Sequence, residues 1–194
     1  SMAELEGKVA IVTGAGRGLG RIEAIELARM GARVVINEIG RPEAREAAES
    51  AAEEIRGFGG EAMTVYGDCA DWNDSEALFK TAIDTWGDVN VVVNNAGFCR
   101  DKMIFSMSEE EFDSVVRVHL KGHFVNMRHA AAYWRERAKT SGGTVYGRLL
   151  LLKIGLLLPL LGLAALNLLR SKPRLLQAAA EPGHAATPQL LRQL

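Results

Sequence analysis

The chain has 194 residues, 48% of them hydrophobic and 24% charged, with 23 basic against 24 acidic side chains. That size allows one ordinary domain with a real core, and the apolar fraction excludes disorder over most of the chain. A net charge of −1 removes any broad electrostatic case for nucleic acid.

Taken in chain order, residues 8–12 and 33–36 are short β-branched runs set between glycines, which predicts strands buried on both faces. Residues 21–30 carry a helical pattern between them, and Gly31 stands where a left-handed residue ends a helix. The Ala/Glu-rich stretch 43–56 predicts an amphipathic helix with a solvated face, and 62–66 a third strand. Asn73 with Glu76 has capping-box spacing at the start of the next helix, which Gly87 closes. A fourth strand follows at 89–93. Ser108 with Glu111 repeats the capping-box spacing and opens a single helix over 109–138. Residues 144–149 predict strand five. Strands alternating with helices imply an α/β fold, a doubly wound parallel sheet of Rossmann type with right-handed crossovers.

Directly after the first strand comes Thr13-Gly-Ala-Gly-Arg-Gly-Leu-Gly20, which runs into a helix. Glycines there let the backbone turn tightly and approach a pyrophosphate, whose charge the helix N-terminus favours. A glycine-rich loop alone is weak evidence; this one has the strand before it and the helix behind it. Glu38, at the end of strand two, lies 18 residues past Gly20, close to the spacing at which a carboxylate binds an adenosine ribose.

The spacing Thr-Gly-x-x-x-Gly-x-Gly resembles the short-chain dehydrogenase/reductase family. Asp68-Cys69 after strand three looks like that family's adenine-contacting aspartate, and Asn94-Asn95-Ala96-Gly97 after strand four matches its cofactor-lining Asn-Asn-Ala-Gly motif. Residues 117–124 resemble the helix that carries the first member of the catalytic tetrad. Residues 35–40 and 96–101 look most like the branch containing bacterial relatives of (3R)-hydroxyacyl-CoA dehydrogenase domains. The resemblance covers about 5–148. It implies a nicotinamide dinucleotide held by Gly14, Arg17, Gly18, Leu19, Gly20, Glu38, Asp68, Cys69, Asn95, Ala96 and Gly97. It also implies hydride transfer on a small-molecule alcohol or ketone, and a homo-oligomer for the full-length family member. A carboxylate at Glu38 accepts from both ribose hydroxyls and repels a 2′-phosphate, so NAD is expected over NADP; Arg17 pulls weakly the other way.

In this family a tyrosine exchanges the hydroxyl proton and a lysine four residues on lowers its pKa, while a serine orients the substrate. Four residues beyond Tyr66, Tyr133 and Tyr146 stand Ala70, Arg137 and Leu150, and leucines 149–152 occupy the place of the serine. His119 stands at the tetrad asparagine's position, as it does in the hydroxyacyl-CoA-like branch. No catalytic residue is therefore assigned, and the expected reading is a short-chain oxidoreductase inactive as written. The alternative is a non-catalytic dinucleotide-binding module. His119 and His123 have the spacing of a zinc-ligating pair, but no Cys or carboxylate completes a site at ligand spacing, so no metal is expected. Cys99 reads as a small apolar residue, and Trp72, Trp86 and Trp134 as packing or helix-end anchors.

Composition changes after Arg148. Residues 149–194 hold 18 Leu and four of the five Pro, with no Val and no aromatic residue. Five basic residues there face Glu181 alone, which leaves 18 basic against 23 acidic on the first 148. The expected organisation is a dinucleotide-binding domain over 1–148, its sheet truncated after strand five, and an atypical Leu-rich tail over 149–194 that is not an independent domain. Residues 149–169 are long enough to span a bilayer, yet Pro159 and Lys153 interrupt them, so a membrane-tethered protein is the lesser alternative. Two cysteines and a polar start over residues 1–7 give the expectation of a cytoplasmic location.

Overall fold

In the computed structural model, which describes residues 4–140, the order is β1 (Val9–Thr13), α1 (Gly18–Arg29), β2 (Arg33–Glu38), α2 (Pro42–Gly57), β3 (Ala62–Tyr66), α3 (Trp72–Trp86) and β4 (Val91–Val93). Then follow α4 (Glu109–Val116), a π-helical segment (Arg117–Gly122) and α5 (His123–Thr140). The strands pair in parallel in the order β3-β2-β1-β4, with Thr13 opposite Asn37, Val12 opposite Val93 and Glu38 opposite Tyr66. The sheet is thus built outward from β1 to β3 before the chain crosses back to set β4 on the other side of β1. Such a reversal opens a crevice at the carboxyl ends of β1 and β4, because the loops leaving them part in opposite directions. The predicted fifth strand and the Leu-rich tail lie outside the described residues.

Burial on both faces explains the apolar runs. Ala10, Val12, Val34 and Ile36 face Ala24, Ile25 and Ala28 of α1 and Ala48, Ala51, Ala52 and Ile55 of α2. On the opposite face Val9, Ile11 and Val35 pack on Leu78, Phe79 and Ala82 of α3 and Ala130 of α5. Alternate residues of one strand therefore serve two cores, each large side chain contributing about 1.5–3 kcal/mol of transfer free energy. Strand four is shorter than its apolar run predicts. Asn90 bonds Val9 with its side chain as well as its backbone: Val9 N–H donates to Asn90 Oδ1 at 2.8 Å and Asn90 N–H donates to the Val9 carbonyl at 2.8 Å.

Helix ends follow the sequence in most places. Gly31 (φ +96°) and Gly87 (φ +78°) close α1 and α3 in the left-handed region. Ser108 and Glu111 make both bonds of the capping box, at 3.2 and 3.0 Å. Two details correct it. The cap of α3 is Asp71, not Asn73; its carboxylate accepts from the N–H groups of Asn73 (2.9 Å) and Asp74 (3.0 Å), so the helix starts at Trp72. The helix predicted over 109–138 is interrupted by the π-helical segment. Its last residue, Gly122, offers its carbonyl to the Asn126 amide at 2.8 Å. The same amide reaches the Cys69 carbonyl (3.1 Å), and Asn126 Oδ1 accepts from the Ser75 hydroxyl (2.9 Å).

Asn126 is 1% exposed, so its partners have no water to turn to. Asn126→Ala should cost about 2–3 kcal/mol, because a hydroxyl and two carbonyls each lose a bond in the interior. Urea denaturation should show the midpoint falling with the m-value unchanged, and an unchanged midpoint would refute the assignment.

At the far end of the sheet Trp134 donates to the Val89 carbonyl at 2.6 Å and the Tyr133 hydroxyl donates to Asp88 at 2.8 Å, fixing α5 against the start of β4. No helix among the described residues is long and apolar enough to cross a membrane.

Candidate functional site

The loop after β1 and the turn after β4 meet as one wall. A Cβ on Gly14 would lie 2.8 Å from the Ala96 Cα, and one on Gly20 would lie 2.3 Å from Asn95 Nδ2 and 2.6 Å from the Gly14 carbonyl. These glycines let two backbones touch. Thr13, 1% exposed, seals the junction: its hydroxyl oxygen accepts from the N–H groups of Asn95 and Ala96, both at 3.1 Å. In return Asn95 Nδ2 donates to the carbonyls of Thr13 (2.9 Å) and Gly14 (3.0 Å). In the sequence only the place of Thr13 at the head of the glycine loop points to this junction.

Gly18 differs from its neighbours. It is exposed, has φ +56°, and a Cβ there would meet nothing within 4 Å. No side chain caps α1, whereas Asp71 caps α3 and Ser108 caps α4. The first N–H groups of α1, like those of α2, have no side-chain cap, and at α1 the exposed Gly18 leaves the space before them open. Leu19 lies in the same turn with its side chain 73% exposed.

At the end of β2 the Glu38 carboxylate accepts from the Gly16 N–H at 3.2 Å with one oxygen and from the Ile39 N–H at 3.1 Å with the other. That sets a carboxylate directly beside the glycine loop. Arg17 is turned toward α2, donating to the Glu43 carbonyl at 2.8 Å. Beyond β2, the buried Cys69 lies within electrostatic reach of Asp68, Arg117 and Glu38. Burial, with the Asp68 carboxylate adding to it, pushes its thiol up to about 11, so it stays protonated and is no nucleophile. Asp68 is bound by Arg117 from the π-helical segment at 2.6 Å, a contact no spacing rule anticipates.

His119 packs on the other wall. Its Nε2 lies 3.0 Å from the Phe98 nitrogen and 2.8 Å from the Phe98 oxygen, and a Cβ on Gly97 would sit 2.4 Å from its Cε1. His123 lies near it, ring centroids 6.4 Å apart. Among the described residues no group of three His, Cys, Asp or Glu side chains could hold a metal ion.

The structure therefore brings Gly14, Gly18, Gly20, Glu38, Asn95, Ala96 and Gly97 to one end of the sheet, with Asp68 and Cys69 flanking Glu38. At that end the uncapped start of α1 lies between a carboxylate on one side and a polar backbone turn on the other. Residues 8–145 match the short chain dehydrogenase family. The chain belongs to that family. The match covers every element from β1 to α5.

Among similar proteins, hydroxyacyl-CoA dehydrogenase ChsB1 of Mycobacterium tuberculosis is 47% identical over 148 residues, 75% of this chain and 46% of that protein. L-rhamnose 1-dehydrogenase (NAD(P)(+)) of Azotobacter vinelandii is 43% identical, covering 71% of this chain and 53% of its own length. Peroxisomal multifunctional enzyme type 2 of Mus musculus is 40% identical over 78% of this chain and 20% of the enzyme. The crystal structure of a short chain dehydrogenase from Mycobacterium avium superposes with a TM-score of 0.68 at 50% identity, over 73% of this chain and 50% of that one. The chain spans about half the length of these relatives or less.

Proposed function

We propose that the crevice binds a nicotinamide dinucleotide, NAD(H) in preference to NADP(H), in an oxidoreductase acting on a hydroxyl or ketone substrate of the hydroxyacyl thioester kind. The observation that carries this reading is Glu38, whose carboxylate accepts the Gly16 N–H at 3.2 Å beside the uncapped start of α1. The residues fit the group. Gly18 offers open space for a pyrophosphate, Glu38 two acceptor oxygens for ribose hydroxyls, and Asp68 an acceptor for an adenine amine. When bound, the nicotinamide supplies a hydride acceptor; the chain's own residues orient it and exclude a 2′-phosphate by charge. Residues 1–148 are then the dinucleotide-binding domain, in a protein we place in the cytoplasm. The name of the Mycobacterium tuberculosis relative and the histidine at 119 support the thioester class.

Titration of the 194-residue chain with NADH and NADPH tests the cofactor assignment. NADH should bind more tightly by about tenfold or more, since each charge-assisted hydrogen bond contributes about 1.5–3 kcal/mol and repulsion weakens NADPH further. Glu38→Ala should narrow that ratio. Equal or tighter NADPH binding would overturn the reading and give the 2′-position to Arg17. A second reading, a binding module without chemistry, rests on the absence of Tyr-x-x-x-Lys from these residues.

A further inference from the structure

Arg117 opens the π-helical segment, and its Nη1 lies 2.6 Å from Asp68 Oδ2. The pair is only partly shielded, with side-chain exposures of 44% and 27%. An ion pair so exposed adds little to stability. What it does is hold a carboxylate still. Asp68 Oδ1 accepts the Ala70 N–H at 2.8 Å while Oδ2 takes the guanidinium, so both oxygens are fixed and each keeps acceptor capacity. The loop that bears Asp68 is braced from the same side. Asn126 holds the Cys69 carbonyl at 3.1 Å, and Gly122 packs so close that a Cβ would lie 3.3 Å from Cys69 Sγ. Two residues past Arg117, His119 holds the turn after β4. The π-helical segment thus grips both walls of the crevice, the β3 side through Arg117 and the β4 side through His119.

We propose that Arg117 is a positioning residue for base recognition: by fixing the Asp68 carboxylate it makes the crevice select a 6-aminopurine over a 6-oxopurine. This rests on the cofactor reading above. A 6-amino group donates to a fixed carboxylate, whereas a 6-oxo group turns an acceptor toward it and is repelled. Freed from the guanidinium, the Asp68 side chain regains rotamers, and the discrimination falls with the lost alignment.

The experiment compares binding of NADH and of reduced nicotinamide hypoxanthine dinucleotide to the 194-residue chain by fluorescence titration. The unaltered chain should favour NADH by about tenfold, the worth of one charge-assisted hydrogen bond. Arg117→Ala should weaken NADH by about that factor and leave the hypoxanthine dinucleotide within about twofold, with the melting temperature unchanged. Arg117→Lys should recover part of the discrimination, since a point charge holds one oxygen without the fork geometry. Equal weakening of both dinucleotides, or undiminished discrimination in Arg117→Ala, would overturn the inference and leave the cofactor reading standing. If the unaltered chain bound neither dinucleotide, the cofactor reading would fall, and this inference with it.

Discussion

Gly20→Ala should cost about 3 kcal/mol of stability and remove dinucleotide binding. The added methyl would lie 2.3 Å from Asn95 Nδ2 and 2.6 Å from the Gly14 carbonyl oxygen, both far inside contact distance. Asn95 can swing aside, but only by giving up its bonds to the Thr13 and Gly14 carbonyls at 2.9 and 3.0 Å. The Gly14 carbonyl belongs to the backbone and has no such freedom; moving it shifts the loop and the start of α1 together. Overpacking of this kind costs about 1–3 kcal/mol, and the stranded carbonyls add to it. Gly18→Ala provides the contrast. Nothing stands within 4 Å of its Cβ, so the penalty is the left-handed backbone at φ +56°, about 1–2 kcal/mol. Denaturant unfolding of the two variants should rank Gly20→Ala as the more damaged. The reverse order would mean that the loop after β1 is not braced by the turn after β4.

Strands and the glycine loop are legible from sequence because their signals are local. A run such as Val-Ala-Ile-Val needs no partner to announce burial on two faces, and Thr13 to Gly20 carries its spacing on the chain itself. The place of Glu38 at the end of β2 is legible by the same means. What stayed hidden depends on residues far apart in the chain. The amide of Asn126 bonds both the Gly122 carbonyl and that of Cys69, which lies 57 positions before Asn126, and the π-helical segment ends at the first of these carbonyls. A buried asparagine in the middle of a helical pattern looks like any polar residue on a wet face. Arg117 is the same case, since its partner Asp68 comes from another loop. The misplaced cap of α3 has a simpler cause. Asp71 and Asn73 are both good caps, and only the turn before the helix, where the Asp71 N–H donates to the Asp68 carbonyl at 2.9 Å, decides between them.

The 194-residue chain should give no measurable NAD-linked turnover on secondary alcohols or 3-hydroxyacyl thioesters. The reaction needs a positioned group to take the hydroxyl proton, and losing general acid–base help alone costs about 10²–10⁴-fold. A phenol serves only where a neighbouring cation brings its pKa down. Both described tyrosines move the other way: burial raises Tyr66 and Tyr133, and each donates to a carboxylate, Glu49 at 2.5 Å and Asp88 at 2.8 Å. Tyr133 also stands at the Asp88 end of the sheet, opposite the crevice. Tyr146 is followed four residues on by Leu150, so it does not have the Tyr-x-x-x-Lys spacing. His119 carries an imidazole, but its Nε2 lies 3.0 Å from the Phe98 nitrogen and 2.8 Å from its carbonyl oxygen, which commits the ring to the turn after β4. A substrate would also lack the serine that orients its oxygen, and misorientation adds its own penalty. The check is steady-state NADH formation with the purified chain at saturating NAD. Turnover that disappears in Gly18→Asp, a change confined to the open start of α1, would contradict this and make His119 the first residue to replace.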